Sequence, residues 1–421
     1  GVNIAANLVG NDNWTIHQNA FYQLPAAAAK AGNVGSVSTQ AIRISSGQGH
    51  TITNNSIGGA APDRSGAAWR GGYLSFGAVS FRGIELQTNL GMDMLTTISG
   101  NVISNIDANP FGGSNLFGGI LVSSGLVNVT NNTIGGGAMP YDTIKEGSYS
   151  TTNVGGIILA GGIVNVSNNT VGNIYNYLDN AGNTAIIRTV GINLAGGGTA
   201  PIAFTVANNT IRDIRSTFYN SPTNILTYTA SSPVGIFVNT AANIQSNIVG
   251  NTIYNIQNTQ TVGTTGQAVG ISLRGGSNIV ERNRIYNLST SGVSTGFEST
   301  SLIGIYIQST SSLGQVVRNN QIALQNNIGN CMLMGIVDAT NFASNNNIYN
   351  NSVFIGGTNT GSASSYGLFT GVAATPASIK VYNNILYNAR SGGSGNHFAI
   401  GSYYNANLLN GEEDSSSSSS S

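Results

Sequence analysis

A short motif, Asn-x-(Ile/Val), returns down this chain at intervals that a set of unrelated globular elements would not produce. It stands at Asn55, Asn101, Asn132, Asn169, Asn209, Asn251, Asn283, Asn320, Asn351 and Asn383, with a degenerate copy, Asn19-Ala20-Phe21, ahead of the series. Neighbouring copies lie between 31 residues apart (Asn320 to Asn351) and 46 (Asn55 to Asn101). Recurrence every few tens of residues marks a stacked-repeat protein and outranks any element-by-element reading. A second marker keeps pace with the first: a Gly followed by alternating apolar residues, as in Gly119-Ile120-Leu121-Val122, Gly191-Ile192-Asn193-Leu194 and Gly270-Ile271-Ser272-Leu273. The stretch from this Gly to the next motif Asn is nearly fixed in length, whereas the stretch from Asn to Gly carries the insertions.

Alternation with period two, in the Gly segments and in Val127-Asn128-Val129-Thr130, predicts strands rather than helices. Stacking such repeats gives an all-β fold, a single-stranded right-handed parallel β-helix of about eleven coils with variable inter-coil loops. It is expected over residues 1–410, followed by a low-complexity acidic and Ser-rich tail at 411–421. The motif Asn is expected to take the tight bend between strands, since Asn tolerates the left-handed region. Its amide is also expected to bond its counterpart one coil away, forming a ladder.

The repeated Asn-Asn-Thr-Ile units and Asn13-Trp14-Thr15-Ile16 resemble the pectate-lyase-type β-helix repeat family. In tone they resemble the large Asn/Thr/Gly-rich surface proteins that Bacteroidetes-type bacteria secrete. The resemblance implies an extracellular or cell-surface location. It does not choose a function, because that scaffold serves lyases, hydrolases, phage tailspikes and passive adhesins.

Composition removes several classes. Charged residues are 7% of the chain and the formal net charge is zero, so no basic field is available for nucleic acid. No apolar run of about 18 residues is present that would span a membrane as a helix. The single Cys331, in Cys-Met-Leu-Met, excludes an internal disulfide and reads as a core residue. No cofactor or metal is expected: His17, His50 and His397 are far apart and no Asp-rich Gly repeat occurs.

The carboxylates do not form the pairs that glycoside chemistry needs. Arg43 and Glu85 read as a cross-strand ion pair. Asp213 beside Arg212 and Arg215, and Glu281 beside Arg282 and Arg284, read as self-neutralising surface pairs.

Two surfaces are candidates for a ligand. The outward column of the Gly-Ile-x-Leu strands carries Asn193, Phe237, Ser272, Tyr306 and Phe369, where aromatic faces could stack on sugars and amides bond hydroxyls. The opposing reading is that loops fold over this column and bury it. The longest insertions carry Trp69, Arg70, Tyr73, Tyr141 and Tyr149, and loops on a rigid scaffold are where recognition commonly sits. There the opposing reading is loop-on-coil packing.

The expectation is a non-catalytic stalk or adhesin-like module, with a polysaccharide or another surface protein as partner and with end-to-end continuation or homo-oligomers. The alternatives are a polysaccharide lyase or glycoside hydrolase with a degenerate motif set, and a viral tail-fibre module.

Overall fold

The computed structural model describes residues 1–5, 11–24, 37–70, 79–108, 116–137, 143–146, 153–176, 188–197, 201–217, 233–259, 266–292, 301–308, 312–325, 330–340, 344–371 and 378–402. Among them the chain forms strands and turns only. Each coil contributes one strand to each of three parallel sheets, illustrated by Asn153–Leu159 in sheet A, Ile163–Ser167 in sheet B and Thr170–Asn176 in sheet C. Sheet A has twelve strands, sheet B eleven, and sheet C fifteen, the last including short strands from the insertions. The fold is the right-handed parallel β-helix, the hand that parallel crossovers favour.

Inside and outside follow the period-two pattern. In Leu126–Thr130, Val127 and Val129 are buried while Asn128 is not, and each pairs with its equivalent in the next coil. The core is therefore a set of columns: Ile120, Ile157, Ile192, Ile236 and Ile271 stack in sheet A, all at 0% exposure.

The Asn ladder runs the length of this stack. Asn132 donates from its backbone N and its Nδ2 to Oδ1 of Asn169, at 2.9 and 3.0 Å, and Asn169 repeats the pair with Asn209. The second Nδ2 hydrogen goes to a backbone carbonyl of the preceding coil, Ile98 for Asn132 and Val129 for Asn169. A buried amide is thereby saturated, which is what allows a polar column inside an apolar rod. The degenerate Asn19 belongs to the ladder, donating to Asn55 Oδ1.

Two details of the expected ladder change. Its last member is Asn384, not Asn383: Asn351 donates from N and Nδ2 to Asn384 Oδ1 at 3.0 and 2.9 Å. Leu386, not Ile385, then sits under Val353, and Ile385 points outward. The bend also falls one residue earlier than expected. Asn54, Asn131, Asn168, Asn208, Asn319, Asn350 and Asn383, each preceding a ladder Asn, have φ of 52–57°, with Gly100 and Gly250 at 66° and Arg282 at 54° doing the same work. In an Asn-Asn pair the first residue turns the chain and the second bonds along the stack.

The Gly of the second marker is required by space, not by φ. A Cβ built on Gly235 would lie 2.6 Å from the Gly270 carbonyl oxygen and 2.6 Å from Ile253 Cγ2. Gly119 meets Ile134, Gly191 meets Ile211, and Gly304 meets Ile322 in the same manner. The two sequence markers are thus one device: the apolar residue of Asn-x-Ile fills the hole left by the Gly across the narrow coil.

Candidate functional site

The outward column of sheet A aligns as read. Asn193 pairs with Phe237, Phe237 with Ser272, Ser272 with Tyr306, Tyr306 with Val337, and Val337 with Phe369. These side chains are 0–2% exposed, so this face is not an open groove. Phe237, Tyr306, Val337 and Phe369 join Val190, Val234, Val269, Ile303 and Met334 in a second apolar cluster outside the coil. The guanidinium of Arg188 sits 4.6 Å from the Phe237 ring centroid. Burial is the reading that the exposed stripe would otherwise require, because an uncovered row of this length is a liability.

Nearer the N-terminus, Arg43 and Glu85 are register partners, yet they do not form the expected ion pair. Arg43 donates to Gln87 Oε1 at 2.9 Å, and Gln87 Nε2 lies 3.5 Å from Glu85 Oε1. The amide of Gln87 reaches Arg43 more closely than the carboxylate does.

In the insertions, Trp69 and Arg70 form a short strand pairing with Ile106 and Asp107. Trp69 meets Phe81 edge-on at 5.4 Å, and Arg70 Nε lies 3.5 Å from Asp107 Oδ2. Trp69 packs its loop on the coil, while the Arg70 side chain is 45% exposed. Tyr73, Tyr141 and Tyr149 lie outside the described residues.

The charged pairs at Asp213 and Glu281 neutralise themselves. Arg212 bonds Asp213, and Glu281 receives Arg282 at 2.8 Å and Arg318, one coil on, at 2.6 Å. Arg284 departs from that reading: its guanidinium lies 4.9 Å from the Tyr286 ring centroid rather than on Glu281.

The three histidines sit at separate places. His17 bonds Thr53 Oγ1, and His397 bonds Ser365 Oγ. His50 is buried between the Ser46 carbonyl and the Trp14 N–H, and burial lowers its pKa. No group of three His, Cys, Asp or Glu able to hold a metal occurs among the described residues.

Sequence reasoning missed a second buried polar column, at the corner entering sheet B. Asn278 donates from N and Nδ2 to Gln315 Oε1 at 3.0 and 2.8 Å, Gln315 N donates to Asn346 Oδ1, and Asn346 Nδ2 donates to Asp338 Oδ2 at 2.7 Å. Its signal was the change at one register position from Val164 and Phe204 to Ser246 and Asn278.

Asp338 is fully buried, and desolvation raises its pKa against the hydrogen bonds from Thr340 and Asn346. The folded state therefore holds this proton more tightly than the unfolded chain, whose carboxyl titrates near pH 3.9. The resulting stability is fully present below that pH and is lost as pH rises through the folded value. Denaturation midpoints measured upward from pH 4 should fall for the wild type relative to Asp338→Asn. A constant difference between the two would show that Asp338 does not titrate differently on folding.

An open groove does exist, on the outer face of sheet C in its C-terminal coils. It has a volume of about 590 Å³, within the range of small-molecule sites. Its side chains come from alternate residues of the strands Arg284–Tyr286, Gln321–Gln325, Ser352–Gly356 and Ile385–Asn388. Aromatic rings stand in one register column. Tyr254 stacks on Tyr286 at 5.1 Å with planes 6° apart, and Phe354 lies 5.9 Å from Tyr387. Tyr387 is 61% exposed and Ile385 is 68% exposed. Gln321, Gln325, Asn287 and Ser352 bring amides and a hydroxyl to the same surface, and Arg284 its one cation. None of the described lining residues is Asp, Glu or His.

Comparison with known proteins finds no matching family model, no matching curated protein and no matching solved structure.

Proposed function

We propose that this chain is a non-catalytic β-helical module that holds a polysaccharide along the outer face of sheet C. The supporting observation is the groove itself: aromatic rings beside amides and a hydroxyl, on a rigid sheet, with no carboxylate among the described lining residues. Aromatic rings present flat apolar area at little entropic cost, and the flanking amides supply paired donors and acceptors for hydroxyls. General acid–base cleavage of a glycoside would need two carboxyl groups about 5–10 Å apart at the bound sugar.

The proposal includes the pectate-lyase-like family with its Bacteroidetes-type surface proteins, and an extracellular or cell-surface setting. It also includes end-to-end association of such rods.

The test is incubation of the chain with insoluble plant, algal and bacterial glycans. Retention without new reducing ends is the expected result. Tyr387→Ala should weaken retention about tenfold or more, as truncation of an aromatic anchor does, whereas Thr205→Ala, on sheet B, should leave it unchanged. Release of oligosaccharides would instead support a lyase or hydrolase.

A further inference from the structure

The aromatic column on sheet C is interrupted once. Following the register gives Tyr254, Tyr286, Ala323, Phe354 and Tyr387. Four of five coils place a ring there, and the ring pairs on either side of the break touch one another. An aromatic residue at 323 would complete a continuous stack and add ring contacts that the sheet favours. The chain instead carries the smallest side chain that still has a Cβ.

We propose that the gap over Ala323 is a subsite for a single sugar ring, inserted edgewise between Tyr286 and Phe354. This rests on the glycan-binding reading of the groove. Tyr286 and Phe354 are two coils apart, so their positions are separated by about 9.6 Å, twice the strand spacing. A planar ring touching both walls at about 3.5–4.0 Å would need only 7–8 Å. A chair-shaped pyranose is thicker than a base and fills more of that space, with Arg284, 4.9 Å from the Tyr286 ring centroid, beside it.

The floor is equipped to match. In Gln321–Gln325 the outward residues are Gln321, Ala323 and Gln325, so an exposed amide stands on each side of the alanine. Neither amide bonds another side chain among the described residues, and both face the hydroxyls on the rim of an inserted ring. Phe354 leans over Gly356, where an added Cβ would meet its ring at 2.9 Å. That lean carries the ring off the column axis and gives the subsite its entrance.

The experiment fills the gap. Ala323→Tyr should keep or raise the thermal midpoint while weakening retention on whichever glycan the wild type holds at least tenfold. Ala323→Ser, which leaves the space open, should bind as wild type. Tyr286→Leu removes a wall without adding bulk and should weaken binding even if Ala323→Tyr folds poorly. Wild-type affinity in both Ala323→Tyr and Tyr286→Leu would overturn the subsite while leaving the groove reading intact. No retention of any glycan by the wild type would overturn the groove reading and the subsite with it. Binding of an oligothymidylate that Ala323→Tyr abolishes would replace the sugar by a base.

Discussion

Asn209→Ala is expected to remove about 2–4 kcal/mol of stability, although it deletes no apolar contact. Asn209 Oδ1 accepts from both N and Nδ2 of Asn169 at 2.9 Å, and its Nδ2 donates to Asn251 Oδ1 and to the Val166 carbonyl at 3.0 Å. Alanine leaves the backbone N–H of Asn169 without an acceptor, in a column at 1% exposure where water does not reach, while Asn169 Nδ2 keeps the Val129 and Ser167 carbonyls. An orphaned buried donor costs about 1–3 kcal/mol, and the Val166 carbonyl loses the Asn209 amide as well. Asn251 fares better, since the backbone N of residue 209 still reaches its Oδ1.

Leucine at 209 should be as costly as alanine, because it fills the space and satisfies nothing. Asn384→Ala should cost far less, about 1 kcal/mol, since Asn384 is half-buried in the last described coil and water can replace its amide. Denaturant midpoints for the three variants check this ordering, with limited proteolysis to detect local opening, since repeat arrays need not unfold in one step. Equal losses at 209 and 384 would mean that the ladder acts through something other than buried hydrogen bonds.

The contrast between Asn383 and Asn384 shows how far the sequence could be read. Periodicity alone reveals the coil, because Asn-x-Ile and Gly-Ile-x-Leu repeat in register and each has one viable place in a parallel stack. Periodicity does not say which of two adjacent asparagines turns and which bonds. The earlier pairs held the answer: in Asn131-Asn132 and Asn168-Asn169 the second residue enters the ladder, and the same rule selects Asn384.

The site was harder to see. The outward column of sheet A offered aromatic faces in the sequence, but it is the floor of a second core, as the reading with loops folded over it expects. The open groove was written three residues after each ladder Asn: Tyr254 after Asn251, Tyr286 after Asn283, Phe354 after Asn351, Tyr387 after Asn384. It was legible as spacing. Nothing in the spacing told which of three outer faces would stay uncovered, because coverage depends on where insertions fold rather than on the repeat.

Gly235→Val should prevent the chain from reaching its native stack, and Gly235→Ala should cost about 2–3 kcal/mol, the upper range for a forced methyl in a packed core. The cause is not backbone freedom, since this Gly does not use a positive φ. Its missing side chain is the hole that Ile253 Cγ2 occupies, and the next coil's carbonyl closes the far side at 2.6 Å. A methyl at 235 must push Ile253 inward or spread the coils, and spreading them lengthens the hydrogen bonds between strands of sheet A.

Ala41 occupies this column near the start of sheet A, in register with Gly83, so a methyl is not forbidden everywhere in it. The cost at 235 therefore depends on Ile253, and the two positions should be coupled. Gly235→Ala combined with Ile253→Ala, which removes Cγ2, should lose less in denaturant midpoint than the two single variants summed. Additive losses in the double variant would show that the carbonyl of Gly270, not Ile253, sets the limit.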